Sequence, residues 1–450
     1  MSTICALATP NGAGAVSLVR LSGPEAVGIL NKLVSNARAW APRVQNYCTL
    51  YDGKDVLDKA LVTYFKAPNS FTGEDVVEFA LHGSPYIKGR LLELLCHYGA
   101  RPAKRGEFSQ RAFFNGKMDL LEAQGLCDLI AAGNKSAHRL AMASLDGKLT
   151  ERAEILKKTL SELLAQIEVR LDDVDEEMTP LSNDFIRREI TAVLVHLKAL
   201  TDTFSVGRLI KDGLKIALVG APNSGKSSLL NALVGFDRAI VSAQSGTTRD
   251  TVEEILEING QKIRLTDTAG IRDHALDPAE QEGMKRSRRA MQESDVILFV
   301  LDSSRPVCPE EILLWKDIQN TPGKRVLIVQ NKNDKTTVSC TLENIQNYTQ
   351  IQVSCKTGEG IETLKNLLTD RLNEAQEKDS LLISNLRQYE ALLRAQTELE
   401  SALLQLDKNA GGEILAEHIR RSLNQLHDLT GEVTPDDILG IIFSKFCMGK

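Results

Sequence analysis

GAPNSGKS, residues 220–227, fits the spacing G-x-x-x-x-G-K-[ST]. The apolar run KIALV (215–219) precedes it and the amphipathic stretch SSLLNALVG (227–235) follows, so the loop joins a strand to a helix. Glycines let the backbone N–H groups turn inward around phosphate oxygens, and the helix N-terminus adds its own donors. Asn223, Ser224, Gly225, Lys226, Ser227 and Ser228 are thereby expected to line a nucleotide triphosphate. Lys226 neutralises the β- and γ-phosphates and the Ser227 hydroxyl ligates Mg²⁺. Working outward, VILFVLD (296–302) and RVLIVQN (325–331) are further buried-strand runs separated by helical lengths. That alternation predicts a mostly parallel sheet with crossover helices over 213–378.

Companion motifs occur in order along this segment. DTAG (267–270) follows the strand-like KIRLT and puts Asp267 where a carboxylate holds the metal through its shell, with Thr268, Ala269 and Gly270 beside the nucleotide. GTTRD (246–250) stands where a switch segment brings Thr248 onto Mg²⁺. NKND (331–334) and SCK (354–356) sit at strand ends and select the base. The Asp334 carboxylate accepts from guanine N1 and its exocyclic amine, a donor pair adenine lacks, while N–H groups of the Ser354-Cys355-Lys356 loop meet O6. Asn331 and Lys332 complete the pocket. The nucleotide is expected to be GTP.

Many GTPases place a water-orienting glutamine directly after the DTAG motif. Here that residue is Ile271. Glu280 is the best carboxylate downstream, within IRDHALDPAEQEG (271–283). The same residues also read as a helix start, with Asp277 as N-cap, Pro278 at N1 and Glu280 closing a capping box. MKRSRRAM (284–291) reads as a solvated helix face.

Elsewhere the texture changes. Strand-like stretches at 3–8, 15–21, 60–65 and 75–81, with a helix over about 86–98, predict an N-terminal α+β domain over 1–117. Leu149, Leu156, Leu160, Leu163, Ile167 and Leu171 recur at helical spacing and predict a long amphipathic helix. The acidic run DDVDEE (172–177) interrupts it as a solvated loop or helix end. After about 380, Leu386, Tyr389, Leu393, Leu399, Leu403 and Leu406 mark a second helical stretch. Helical segments at 118–212 and 379–450 therefore flank the α/β segment, which reads as an insertion.

With 450 residues, 42% hydrophobic and 25% charged, the chain is globular in composition and long enough for about three domains. The balance of 54 basic against 60 acidic residues gives −6, which excludes a grip on nucleic acid through net charge alone. The eight cysteines form no C-x-x-C and the seven histidines no H-E-x-x-H, so neither a disulfide framework nor a zinc site is expected. No run of about 18 apolar residues occurs and no secretory signal opens the chain. A reducing cytoplasm fits.

The chain ends in FCMGK (446–450) and carries SFTGEDVVE (70–78), HGSP (82–85) and RGEFSQRAFFNGKMDL (105–120), after TICALATPNGAGAVSLVRLSGP (3–24). With the nucleotide motifs, these resemble the tRNA-modification GTPases known as MnmE or TrmE, over essentially all 450 residues. The resemblance implies an N-terminal folate-binding and dimerising domain, a helical domain and an inserted, potassium-stimulated G domain. It further implies an FAD-containing partner, MnmG (GidA), in a heterotetramer. Together they modify C5 of the wobble uridine of certain tRNAs with a carbon from 5,10-methylenetetrahydrofolate, for which 5-formyltetrahydrofolate is a bound analogue.

Residue by residue, the family's potassium ligands match Asn223, Ser242, Gln244 and Thr247, and its water-orienting glutamate matches Glu280. Its folate contacts match Arg20, Glu78, Lys117 and Lys450. Cys447 matches a cysteine required for modification, and Lys445 and Lys450 nearby favour its thiolate. Ser242 stands where the family often has threonine. Asn11 replaces a usual proline, and Ala13 and Ala15 lie in a stretch the family fills with glycine and arginine. A switch GTPase of ribosome assembly, without modifying chemistry, is the competing reading, and a scaffold with a vestigial G domain a third.

Overall fold

The computed structural model describes residues 2–35, 39–171, 179, 181–235, 253–267, 288–336, 338, 342–377, 381–444, 446 and 449. The framework divides into two compact units. One comprises 1–127, 144–193 and 397–450, and the other 128–143 and 194–396.

The first unit contains a six-stranded sheet: β1 (Ile4–Leu7), β2 (Val16–Ser22), β3 (Gln45–Asp52), β4 (Asp55–Phe65), β5 (Val76–His82) and β6 (Arg101–Pro102), in the order β3-β4-β5-β2-β1-β6. All pairings are antiparallel except β1 with β6. Alternation along β2 sends Val19 and Leu21 into a core beneath α1 (Ala26–Leu33) and α2 (Pro85–His97). Arg20 and Ser22 take the opposite face, towards Phe71 and Glu74.

That second face carries a buried ionic network. Arg111, on α3 (Glu107–Phe114), donates to Glu74 Oε2 at 2.9 Å and to Glu107 Oε1 at 2.9 Å, and Arg101 donates to the same Glu107 oxygen at 2.5 Å. Burial alone raises the Glu107 pKa. The Arg101, Lys104 N–H and Arg111 hydrogen bonds outweigh it and hold the carboxyl at about 2. A depressed folded-state pKa stabilises fully above the ordinary value of about 4.5, and that contribution fades as pH falls towards 2. The wild-type melting midpoint should therefore drop between pH 5 and pH 3 more steeply than that of Glu107→Gln, as differential scanning calorimetry would record.

The helical part of this unit is led by α4 (Lys148–Leu171), whose Leu156, Leu160, Leu163 and Ile167 are buried. It packs against Gly412–Thr430, where Arg420 reaches Glu168 at 2.5 Å and buried Lys157 pairs with Glu432. Further along, Leu439, Phe443 and Phe446 join Leu120 and Ala123 in one apolar cluster. This seats the chain's end. A Cβ at Gly449, with φ +87°, would stand 2.3 Å from the Leu7 carbonyl oxygen, so only glycine permits that approach to β1.

The second unit holds β7 (Leu214–Val219), β8 (Glu253–Ile258), β9 (Gln261–Asp267), β10 (Val296–Asp302), β11 (Arg325–Asn331) and β12 (Thr349–Gln352), ordered β12-β11-β10-β7-β9-β8. Only β8 with β9 is antiparallel, which fits the expected mostly parallel sheet. Apolar cores cover both faces. Phe299 stacks on Trp315 on one, and Leu298 and Val300 face Leu229 and Leu364 on the other.

Two local expectations shift. The buried stripe of Leu386–Asp407 runs through Leu392, Ala395, Leu399, Ala402 and Leu406, whereas Leu386 and Leu393 are exposed. Alanines complete the 3–4 spacing and rotate the face away from those two leucines. SCK begins two residues after β12 ends, because the Ser354 N–H turns to the Glu359 carbonyl at 2.9 Å. DDVDEE, and the possible capping by Asp277 and Glu280, lie outside the described residues. No described helix is long and apolar enough to cross a membrane.

Candidate nucleotide site and candidate folate site

The first candidate site lies at the C-terminal edge of β7, β10 and β11, where open parallel sheets bind ligands. After β7 the chain turns through Asn223 (φ +62°) and Gly225 (φ +100°) into α5 (Lys226–Val234). A Cβ at Gly225 would lie 2.0 Å from Asn331 Nδ2, so that amide fixes the residue as glycine. Asn331 donates from Nδ2 to the Ser224 carbonyl at 3.1 Å, stitching the end of β11 onto the loop.

Lys226 is buried and folds back, donating to the carbonyls of Gly220 at 2.8 Å and Ala221 at 2.9 Å. Its ammonium thus stays inside the curve of the loop rather than in solvent. Ser227 and Ser228 are exposed in the first turn of α5, and Ser224 is fully buried with Oγ unpartnered among the described residues. These features fit an oligophosphate and its metal: backbone donors at a helix start, an ammonium and accessible hydroxyls.

The base side is equally ordered. Lys332, at φ +65°, donates to the Asn223 carbonyl at 2.9 Å and to Asp302 Oδ2 at 2.6 Å. Burial raises the Asp302 pKa, but the Lys332 and Ser304 hydrogen bonds prevail and lower it. Asp334 Oδ1 accepts from Ser354 Oγ at 2.8 Å, and that bond lowers its pKa in turn. Two N–H groups of the SCK loop are already engaged: Ser354 with Glu359, and Cys355 with Asn331 Oδ1 at 3.4 Å. Burial pushes the Cys355 thiol up to about 11, so it is not a nucleophile at neutral pH.

The structure therefore brings together Asn223, Ser224, Gly225, Lys226, Ser227, Ser228, Asn331, Lys332, Asp334, Ser354 and Cys355, with Lys356 next in the loop. Asp267 ends β9, paired with Leu218 of β7, and its side chain is outside the described residues. So are Ser242, Gln244, Thr247, Thr248, Thr268, Ala269, Gly270 and Glu280. Asp302 was not singled out from sequence. The signal was its place at the end of VILFVLD, on the same sheet edge.

The second candidate site is in the other unit. Arg20 and Glu78 are register partners on β2 and β5, with Arg20 Nε donating to Glu78 Oε1 at 2.7 Å. The guanidinium also lies over Phe71, 5.3 Å from the ring centroid, and donates from Nη1 to the Gly449 carbonyl at 3.4 Å. Lys117 is exposed, its stem passing the Gly73 turn in the segment that supplies Phe71. Lys450 and Cys447 lie outside the described residues. Phe71 had been quoted within SFTGEDVVE without a role. A carboxylate, a cation and an aromatic face on one sheet surface suit a flat, hydrogen-bonding ring with an anionic tail.

Comparison with known proteins places the chain in one family. Residues 3–117 match the model described as "GTP-binding protein TrmE N-terminus", and 120–447 that of the "MnmE helical domain". The chain is 39% identical to the tRNA modification GTPase MnmE of Psychrobacter sp. (strain PRwf-1), covering 100% of this chain and 99% of that one. It is 38% identical to the same-named protein of Aquifex aeolicus (strain VF5), covering 99% of each. Among solved structures, the G domain of the T. maritima FeoB iron transporter is 25% identical with a TM-score of 0.26, covering 36% of this chain and 98% of that one.

Proposed function

Because the chain belongs to the MnmE family of tRNA modification GTPases, and so is a GTP hydrolase of tRNA modification, we propose that it is potassium-stimulated and uses a folate-carried carbon at C5 of the wobble uridine. On this reading 1–117 binds folate and dimerises, 118–212 and 379–450 form the helical domain, and 213–378 is the inserted G domain. An FAD-containing MnmG partner and tRNA complete the working assembly. The partner supplies much of the grip on tRNA that a chain of net charge −6 does not obtain through net charge alone.

Asp334 and Lys332 hold guanine, while Lys226, Ser227 and Ser228 hold the phosphates. Mg²⁺ at Ser227 and Thr248, and K⁺ among Asn223, Ser242, Gln244 and Thr247, supply positive charge at the β–γ bridge when bound. Glu280 orients the water. The observation that carries the folate assignment is Arg20 itself. One guanidinium joins Glu78 to the carbonyl of Gly449, so the proposed folate contacts Arg20 and Glu78 are tied to the chain near its end.

Cys447→Ser should abolish the wobble modification while GTP turnover persists, measured by mass analysis of tRNA beside phosphate release. Retained modification removes Cys447 from the chemistry. GTP turnover should run about tenfold or more faster in KCl than in NaCl, since one donor-sized contribution to charge stabilisation is at stake. Glu280→Ala should stop turnover in either salt but leave GTP bound. Equal rates in the two salts would remove K⁺ from the account, and loss of binding in Glu280→Ala would assign that residue to helix capping.

A further inference from the structure

On the helix-covered face of the N-terminal sheet, away from Arg20, a cavity of about 630 Å³ opens between β1, α2 and the loop over 9–12. That volume is of the size that holds small-molecule ligands. Leu7, Leu92, Pro85 and Pro102 make its walls mainly apolar.

One charged group breaks this apolar surface. Lys88 is 5% exposed and lines the cavity. Its Nζ donates to the Gly12 carbonyl, and no carboxylate among the described residues pairs with it. A buried ammonium with one neutral acceptor is undersupplied, because burying a charge is costly unless it is paired. The loop carrying Gly12 is fastened in place, with Gly14 N–H donating to the Gly83 carbonyl at 3.1 Å and Gly83 N–H to that of Ala15 at 3.2 Å.

A second feature is Gly89, the next residue, in the middle of α2. Glycine there disfavours the helix relative to alanine. A Cβ at this position would meet nothing within 4 Å, so the omission relieves no clash and leaves the cavity its full width.

We infer that this cavity binds a small organic carboxylate, with the anion on Lys88 and an apolar body against the walls beside Gly89. A single ammonium matches one negative charge. A free phosphate dianion is matched best by several cationic donors, and among the described residues Lys88 is the one cation lining these walls. Asn11 also lines this cavity, so the loop over 9–12 brings a neutral amide there beside the Lys88 cation.

The test is calorimetric titration of the full chain with phenylacetate, and with phenylacetamide as its neutral isostere. Phenylacetate should bind about tenfold or more tightly than the amide, the margin of one charge-assisted hydrogen bond. Lys88→Met should erase that preference. Gly89→Leu fills the space while favouring the helix, so it should lose both ligands with no fall in melting temperature. This second variant decides the matter if Lys88→Met does not fold. Equal affinity for acid and amide, absence of binding at millimolar ligand, binding retained in Gly89→Leu, or displacement of phenylacetate by equimolar inorganic phosphate would each overturn the assignment.

Discussion

Asp334→Asn is expected to weaken GTP binding about 10²- to 10⁴-fold and to create affinity for xanthosine triphosphate. On the proposed reading the carboxylate accepts two hydrogen bonds from guanine, and hydrogen bonds to a charged group contribute about 1.5–3 kcal/mol each. Ser354 Oγ donates to Asp334 Oδ1 at 2.8 Å and holds the group ionised, so it acts only as an acceptor at neutral pH. Asparagine presents an N–H₂ where guanine also presents one, and the two donors collide. Xanthine carries a carbonyl at that ring position, so the same N–H₂ then finds an acceptor. Competition binding with the two triphosphates reads both halves. Undiminished GTP affinity would take Asp334 out of base recognition.

Lys226→Ala should lower GTP turnover by about 10²–10³-fold, the usual cost of removing one well-placed donor to developing charge. The loss has two parts. The ammonium proposed to face the phosphates disappears, and so do its hydrogen bonds to the carbonyls of Gly220 and Ala221, which hold the loop's curve. Lys226→Arg separates them, since it restores charge on a wider, planar group that the narrow turn does not accommodate. It should stay close to the alanine variant in phosphate-release assays. Near-normal turnover in Lys226→Ala would place the catalytic charge elsewhere.

The nucleotide half of the molecule was readable because its signals are local. VILFVLD and RVLIVQN span the strands β10 and β11, since fully buried parallel strands leave continuous apolar runs. The N-terminal half was less so. Strand β3 (QNYCTLYD) lies at the sheet edge, with Cys48 and Leu50 buried but Tyr47 69% exposed, so its alternation was too brief to mark it. Helix α1 was missed for a similar reason: it has eight residues, with Gly28 inside.

Pairings across long sequence distances could not be read at all. Asp302 with Lys332 and Asn331 with Ser224 exist only because the sheet brings separate strand ends together. The burial of Lys88 belongs to the same class, as a lone lysine in a helix reads as solvated. Arg20 and Lys117 became candidates through family resemblance. What the fold adds is the Phe71 ring beneath Arg20 and the carbonyl of Gly449 beside it.

GTP hydrolysis in this chain is proposed to serve chemistry at the wobble uridine. Mass analysis of wobble nucleosides tests it directly, in tRNA from cells lacking the gene and from cells carrying it back as wild type or Lys226→Ala. The C5 modification should vanish on deletion, return with the wild-type chain and stay absent with Lys226→Ala. An unchanged wobble uridine in the deletion cells would contradict the account.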